Sequence, residues 1–486
     1  MKKLIALLLA AVLLLSALPF AGAGFNDSLI ISEDYERAVN EMAETKVLNG
    51  FADGSFGPRK TLTRAQTAKI VCGMLEGADK VETLTKTETG FSDVPASHWA
   101  AKYVAYCVDK GIVSGVGGGK FNPDAKLSAA AFAKMLLIAY GNDASKYSGA
   151  DWITGVKNDV KGAYINNKVS DFTERDLTRQ EAAQMAWNAK FAYEAEKAAV
   201  TDMPSRPFPK SVPEKIKIYA IGNSFSNNCV LGYLYEVLKD VGVKDLTLAN
   251  LYYSGCSLQT HLKFMNENAD QYTYYKRTTG DWVITKGVTF DEALADEDWD
   301  IISFQSTPGN TYQPAKNRLM YYVQKHHPNA NFIWNVIWAH SKRSKQSAFA
   351  KTWKGDQMAM WKGQVNNAIK WVEPDPRIRA IIPTGTAIQN ARSSFIGDNL
   401  DRDTYHLNEG IGYYIASIMW CCKLTGVTPD QINYVPDGLL ENPPHGFDKN
   451  MPGLKEALVK VARESAKNAL ANPYEVTQSQ YTTMPQ

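Results

Sequence analysis

The chain carries no surplus of either charge. Its 53 Lys and Arg stand against 51 Asp and Glu, for a net charge of +2. That removes the electrostatic case for nucleic-acid binding, which relies on a basic surface releasing counterions. Its six cysteines (Cys72, Cys107, Cys229, Cys256, Cys421, Cys422) show no C-x-x-C spacing, so no zinc site is predicted. They read as small buried hydrophobes, with a Cys229–Cys256 disulfide as the alternative. Asp300, Asp398 and Asp401 form no metal-binding spacing. No Gly-rich phosphate loop follows a predicted strand. No metal or organic cofactor is therefore expected. After the first 20 or so residues no run is long and apolar enough to cross a bilayer, which takes about 20 residues.

The composition is that of a globular protein, 45% hydrophobic and 21% charged, and the length of 486 residues allows two to four domains. The first residues read as a secretory signal. Lys2-Lys3 is the charged region, Leu4 to Leu18 the apolar region and Ala21-Gly22-Ala23 a small-x-small cleavage site. Gly24 is then the expected first mature residue, and the expected location is outside the membrane with no transmembrane helix in the mature chain. Eleven Trp and 24 Tyr suit sugar-stacking surfaces, although buried core is the commoner use of such residues.

Sliding the chain against itself exposes a repeat. Val47-Leu-Asn-Gly-Phe-Ala-Asp-Gly-Ser-Phe-Gly-Pro58 aligns without gaps on Ile112-Val-Ser-Gly-Val-Gly-Gly-Gly-Lys-Phe-Asn-Pro123, at an offset of 65. Leu177-Thr-Arg-Gln-Glu-Ala182 echoes Leu62-Thr-Arg-Ala-Gln-Thr67 as a weaker third copy. Each unit reads as a helix stopped by a glycine such as Gly111, a Gly-rich turn, and a second helix capped by Thr63 or Ser128. Phe91-Ser-Asp-Val-Pro95, His98-Trp-Ala100, Gly111-Ile-Val-Ser-Gly115 and Thr63-Arg-Ala-Gln66 resemble S-layer homology domains. The resemblance implies an all-α pseudo-threefold bundle over residues 24–195 whose third unit is degenerate. It also implies that Arg64 and Arg179 contact an anionic secondary cell-wall polymer. The second copy has Ala129 at that position, which predicts a degenerate groove. Solvated helix arginines are the alternative for Arg64 and Arg179.

Pro204, Pro207, Pro209 and Pro213 make residues 196–213 a stiff linker. Beyond it, apolar runs at 216–221, 246–251, 301–304, 332–337 and 378–382 read as strands. They alternate with predicted helices at 228–241, 315–326, 357–372 and 409–424, which argues for a parallel sheet covered by helices. Another helix is predicted at 454–470, with the last dozen polar residues frayed.

Ile216-Lys-Ile-Tyr-Ala-Ile-Gly-Asn-Ser-Phe-Ser226 reads as a buried strand ending in a tight turn that presents Ser224. Asp403-Thr-Tyr-His406 sets a carboxylate three residues before a histidine. A serine nucleophile needs such a base and such an orienting acid. The alternatives are a plain turn serine, a packing or capping His406, and Asp401 in place of Asp403. Gly222-Asn-Ser224 is similar to the Gly-Asp-Ser block of the SGNH (GDSL-like) hydrolases, Tyr253-Ser-Gly255 to their second block and Asp403-x-x-His406 to their last. The resemblance spans roughly residues 214–426 and departs twice. Asn223 stands where Asp is usual, and Trp299-Asp-Ile-Ile-Ser-Phe-Gln305 replaces the Gly-x-Asn-Asp block. It implies a three-layer α/β/α domain over 214–445, followed by a helix and tail at 446–486. In that fold Ser224, Asp403 and His406 are catalytic, and Gly255 and Gln305 supply oxyanion donors, with Asn310 the local alternative to Gln305. The expectation is a wall-anchored serine esterase acting on an acylated carbohydrate, or a wall-bound binding or structural protein whose hydrolase fold is inactive. Trp338-Ala-His340 and Gln389-Asn-Ala-Arg392 are further candidates for lining a sugar site, or else core and turn residues.

Overall fold

A computed structural model describes residues 24–163, 165–169, 174–198, 206–307 and 313–484. The signal sequence, Pro204 and Asn310 lie outside the described residues. The chain divides into two compact units between Glu194 and Ala195.

The N-terminal unit is helical. Helices Glu33–Glu44, Ala101–Asp109 and Trp152–Ala163 each precede one of Arg64–Glu76, Ala129–Ala139 and Arg179–Ala198. Thr63 and Gln66 form a capping box at the second helix of the first repeat, and Ser128 accepts from Ala131 N in the next. These bonds satisfy first-turn amides that have no intrahelical partner. The three repeats close into a ring through backbone bonds. Leu62 N donates to Leu177 O (3.3 Å), Leu177 N to Leu127 O (3.0 Å) and Leu127 N to Leu62 O (3.0 Å). All three leucine side chains are buried in one core. Asp27 and Asp93 each accept two turn amides, from Phe56 and Gly57 and from Phe121 and Asn122, at 2.7–2.8 Å. Each Gly-rich turn is thereby held by the residue that opens its repeat.

The C-terminal unit is mixed α/β, with a seven-stranded sheet in the order β4-β3-β2-β1-β5-β6-β7. Its strands are β1 (Lys215–Gly222), β2 (Asp245–Tyr252), β3 (Tyr272–Arg277), β4 (Val283–Val288), β5 (Ile301–Phe304), β6 (Asn331–Asn335) and β7 (Ile378–Ile382). β2, β1, β5, β6 and β7 are parallel, whereas β3 and β4 form an antiparallel hairpin beside β2. The all-parallel expectation is therefore corrected to a mixed sheet. In Tyr272-Thr-Tyr-Tyr-Lys-Arg277 only Tyr272 and Tyr274 are buried, and Val283–Val288 is exposed along most of its length, so neither strand has the continuous apolar run of a buried parallel strand.

Ile216, Ile218 and Ala220 of β1 share a core with helices Leu234–Asp240, Ile411–Thr425 and Leu454–Ala471. On the opposite face Tyr219 meets Tyr274 and stacks on Trp299. Tyr272 lies on that same face against His261, Phe264 and Phe290, from helices Leu258–Glu267 and Phe290–Ala295. Helices thus cover both faces. The helix expected over 228–241 is two, Ser224–Val230 and Leu234–Asp240. Gly232 marks the break, where a Cβ would fall 3.0 Å from the Tyr413 side chain. The expected frayed tail is instead seated, with Thr477 N on Asn390 Oδ1, Ser479 N on Ser393 Oγ and Tyr481 O accepting from Phe395 N, each at 2.8 Å.

Candidate active site and wall-facing grooves

Counting only the parallel strands, the order is 2-1-3-4-5, and chain direction across the sheet reverses between β1 and β5. Sites in such sheets gather at that switch point, outside the carboxyl ends of the strands. Gly222 ends β1, and a Cβ there would fall 2.5 Å from Ser226 Oγ, so the tight turn needs glycine. Asn223 caps the next helix and Ser224 is its first residue.

Asn223 is the hub of the turn. Its Oδ1 accepts from Phe225 N (2.9 Å) and from Gln305 Nε2 (2.8 Å), and its Nδ2 donates to Cys256 O (3.0 Å). One buried amide thus ties together the ends of β1, β2 and β5. A carboxylate at 223 could accept but could not donate to a carbonyl, so the contact with Cys256 O requires the amide of Asn223. Gln305 is buried beside it, and its Oε1 has no hydrogen-bond partner among the described residues. Gly255 sits in the exposed turn after β2 at φ +63°. Of the two groups expected to supply oxyanion donors, Gly255 and Gln305, the Gln305 amide already gives one N–H to Asn223.

Asp403 and His406 meet directly. Asp403 Oδ2 lies 2.6 Å from His406 Nδ1, and Asp403 Oδ1 accepts from His406 N at 2.9 Å. Burial raises the Asp403 proton affinity, but the hydrogen bonds from His406 outweigh it and hold the carboxyl below its ordinary range. With Nδ1 committed, His406 Nε2 is buried and has no partner among the described residues. The helix that starts at Ser224 is the neighbour of this turn. The Phe225 ring lies 6.2 Å from that of His406, and Asn228 Oδ1 accepts from Leu407 N at 2.9 Å. His340 follows β6 and its ring neighbours those of Phe225 and Tyr405. Burial first, then the charge of Arg392, pushes His340 down to about 4, which keeps it neutral.

Sequence reasoning missed His261. It is buried, its Nδ1 is 2.9 Å from Tyr272 Oη, and its imidazole lies against the Gly222 backbone. Burial pushes it down to about 3, opposed by that backbone contact. It is a neutral prop beneath the serine turn. A histidine on an amphipathic helix carries no motif, so nothing in the sequence marks it. Cys229 lies against Asn335 and Cys256 against Ser257 O, and all six cysteines are free thiols.

In the repeat unit, Arg64 donates to Phe121 O (2.9 Å) and Ser114 O (3.0 Å), while its guanidinium covers the Phe121 ring. Arg179 does the same one repeat away, to Phe56 O (2.8 Å) and Asn49 O (2.7 Å), over Phe51 and Phe56. Both arginines therefore staple their helix to the turn of another repeat rather than extend into solvent. Arg64 also lines a groove of about 290 Å³ with Lys134, Tyr147 and Trp152. A second groove of about 240 Å³ is lined by Asn49, Lys69 and Glu82. Ala129 is buried and places no charge at the third position.

Among the described residues no cluster of His, Cys, Asp or Glu is arranged to hold a metal, and no helix is long and apolar enough to cross a membrane. The architecture is that of a helical repeat module followed by a mixed α/β domain with an Asp–His pair at its strand ends. Comparison with known families makes this specific. Residues 24–68 and 90–133 match the S-layer homology domain, and residues 217–442 match a domain of unknown function, DUF4886. The chain carries S-layer homology domains at its N-terminus followed by a DUF4886 domain.

It is 32% identical over 157 residues to a cell surface protein of Thermoanaerobacter kivui, covering 32% of this chain and 20% of that one. It is 34% identical over 93 residues to a cellulosome-anchoring protein of Acetivibrio thermocellus, covering 19% and 21%. The chain thus spans about a fifth of the length of these curated relatives. A crystal structure of a DUF4886 family protein from Bacteroides uniformis is 33% identical, with a TM-score of 0.49, over 55% of this chain and all of that one. The S-layer homology domains and the surface-protein relatives place the chain at the cell surface, in the cell wall.

Proposed function

We propose that the protein is a wall-anchored, SGNH-like serine esterase that removes an acyl group, such as acetyl, from a carbohydrate. The observation that carries this reading is the Asp403–His406 pair at 2.6 Å, which leaves an unpartnered Nε2 beside the helix that starts with Ser224. Ser224 Oγ attacks the ester carbonyl while His406 Nε2 takes its proton. Asp403 fixes the tautomer and steadies the imidazolium that forms. The tetrahedral oxyanion is received by backbone N–H groups of Ser224 and Gly255, and Gln305 serves chiefly by holding Asn223. The breakdown step returns the proton to the departing sugar oxygen. Water then repeats the sequence on the acyl-enzyme, releasing the acid and restoring Ser224. The S-layer homology domains hold the enzyme on an anionic wall polymer at their grooves, one lined by Arg64 and the other braced by Arg179 through Asn49 O, a role in keeping with the name of the cellulosome-anchoring relative.

One observation favours a second reading, a wall-bound binding or structural protein on the same fold. Gln305 stands in place of the Gly-x-Asn-Asp block and commits one of its two N–H groups to Asn223, which leaves the side-chain part of an oxyanion pocket weaker than in that block. Ester turnover and fluorophosphonate labelling separate the two. The esterase reading expects turnover in a broad acyl panel and labelling of wild type, with Ser224→Ala and His406→Ala each losing roughly 10⁴-fold and the double variant little worse. A wild type that neither turns over any ester nor takes the label establishes the second reading.

A further inference from the structure

The turn that presents Asp403 and His406 is strained at its centre. Thr404 has φ +79°, a left-handed conformation that is a genuine outlier for a β-branched residue. Such conformations persist only where their surroundings enforce them. Here the enforcing groups are visible. Thr404 N donates to Asp401 Oδ1 at 2.6 Å, and Thr404 O accepts from Ser341 N at 2.8 Å. Trp338 Nε1 donates to Tyr405 O at 2.7 Å, and Arg402 N to His406 O at 3.1 Å. Asp401 is only 2% exposed, and its other oxygen is held by Arg343 Nη2 at 2.9 Å. Asp398, just upstream, accepts from Ser341 Oγ, Lys342 N and Gln357 Nε2 at 2.7–2.8 Å and lies 3.1 Å from Arg392 Nε. The segment after β6 and the turn are thus bolted together on both sides of the Asp403–His406 pair.

We infer that Asp401 and Arg343 are positioning residues for the Asp403–His406 pair, holding Thr404 in the left-handed conformation that turns the Asp403 carboxylate back onto the imidazole. Asp401 is not the orienting acid, because the carboxylate that meets His406 Nδ1 is Asp403, at 2.6 Å, while Asp401 binds Thr404 N and Arg343. The inference rests on the esterase reading for its meaning in catalysis, but its geometry can be tested without turnover.

The first readout is the far-downfield proton resonance of the His406 Nδ1–H in the full-length protein, assigned by its loss in His406→Gln. The second is the split of kinetic effects between kcat and KM on an activated acetyl ester. Asp401→Ala is expected to broaden or remove the resonance and to lower kcat about 10- to 100-fold with KM changed less than about threefold, because misplacement rather than binding is at fault. Asp401→Asn keeps an acceptor for Thr404 N and is expected to lose only a few-fold, and Arg343→Ala to fall between the two. The sharpest variant is Asp401→Ala with Thr404→Gly. Glycine adopts positive φ without strain, so the double variant is expected to regain the resonance and at least about tenfold of the lost kcat. An unchanged resonance in both Asp401→Ala and Arg343→Ala overturns the inference, as does a double variant no better than Asp401→Ala. If the resonance responds as expected while no ester is turned over, the positioning stands and the esterase reading fails.

Discussion

The cations around the repeat-unit grooves and the Asp375 and Asp398 clusters of the α/β unit are satisfied in different ways. In the α/β unit, Lys316 and Arg377 both bind Asp375, at 2.7 and 2.8 Å, and Arg392 lies beside Asp398. In the repeat unit, Arg64, Arg179 and Lys134 donate to backbone carbonyls, and no described carboxylate lies within ion-pair reach of them. A carbonyl satisfies an N–H group but leaves the net charge in place. Burial accordingly lowers Arg179 to about 10, with the charge of Asp27 opposing, and also lowers Arg64 and Lys134. A cation paired with a carboxylate is scaffolding, whereas one bonded only to carbonyls gains when an anion arrives. The second groove differs from the first. Lys69 occupies the position of Lys134 and pairs with Glu82 at 3.3 Å.

Removing the carboxylate that compensates the α/β cations is the severest way to break this contrast. Asp375→Ala leaves Lys316 and Arg377 buried and unpaired, and is expected to destabilise the unit by about 3–5 kcal/mol, read from denaturant midpoints at constant slope. A loss below about 1 kcal/mol would mean that the pairs are not scaffolding.

Acid attacks the same unit. His261 and His340 are held neutral by burial, at about 3 and about 4. The unfolded chain takes up protons near pH 6.5 and the folded one does not, so stability is full above pH 6.5 and falls as pH drops toward 4 and then 3. Burial raises Asp375, but hydrogen bonds from Arg377 and Lys316 hold it lower overall. Its contribution is therefore present above about pH 4 and is lost as pH falls through its folded value. The combined effect is expected to be on the order of a few kcal/mol. The repeat unit has one histidine, His98, but the hydrogen bond from Lys102 lowers its Glu82 to about 2, so it too weakens below about pH 4. It is expected to outlast the α/β unit between about pH 6.5 and 4 when hydrogen exchange is followed peptide by peptide.

Smaller effects sharpen the repeat side. Arg64→Ala is expected to weaken sedimentation of the full chain with polymer-bearing cell walls about tenfold, the scale of one charge-assisted contact, and added salt should reduce wild-type binding as well. Equal binding to polymer-stripped walls would remove the role given to the groove. Glu82→Gln should free Lys69 and raise wall binding about two- to threefold, since that pair is largely exposed and worth little. A decrease instead would show that Glu82 braces the groove.

How much was legible in the sequence follows from how each part is built. The ring of repeats reuses one solution three times, so self-comparison exposes it, and Thr63 and Ser128 announce their helices. The five parallel strands announce themselves as continuous apolar runs. The β3–β4 hairpin does not, because Val283–Val288 lies exposed at a sheet edge. Ser224 and the Asp403–His406 spacing could be read because each is a short local pattern. Asn223 as a hub, His261 as a prop and Asp401 as a clamp are contacts across 11 to 82 residues of chain, or a backbone angle, and no local pattern encodes them. The tail misled because polar residues seated by backbone bonds look the same in sequence as polar residues in solvent.

The closed ring of Leu62, Leu127 and Leu177 has a mechanical consequence. In an open stack of repeats, tension on one end peels the terminal repeat away and the rest follow one at a time. Here the last repeat in the sequence is bonded to both others, so a pull transmitted through the helix Arg179–Ala198 meets resistance from all three repeats together. Stretching a single molecule between its C-terminus and a wall fragment is expected to open the module in one rupture. A staircase of three ruptures would show that the ring does not share the force.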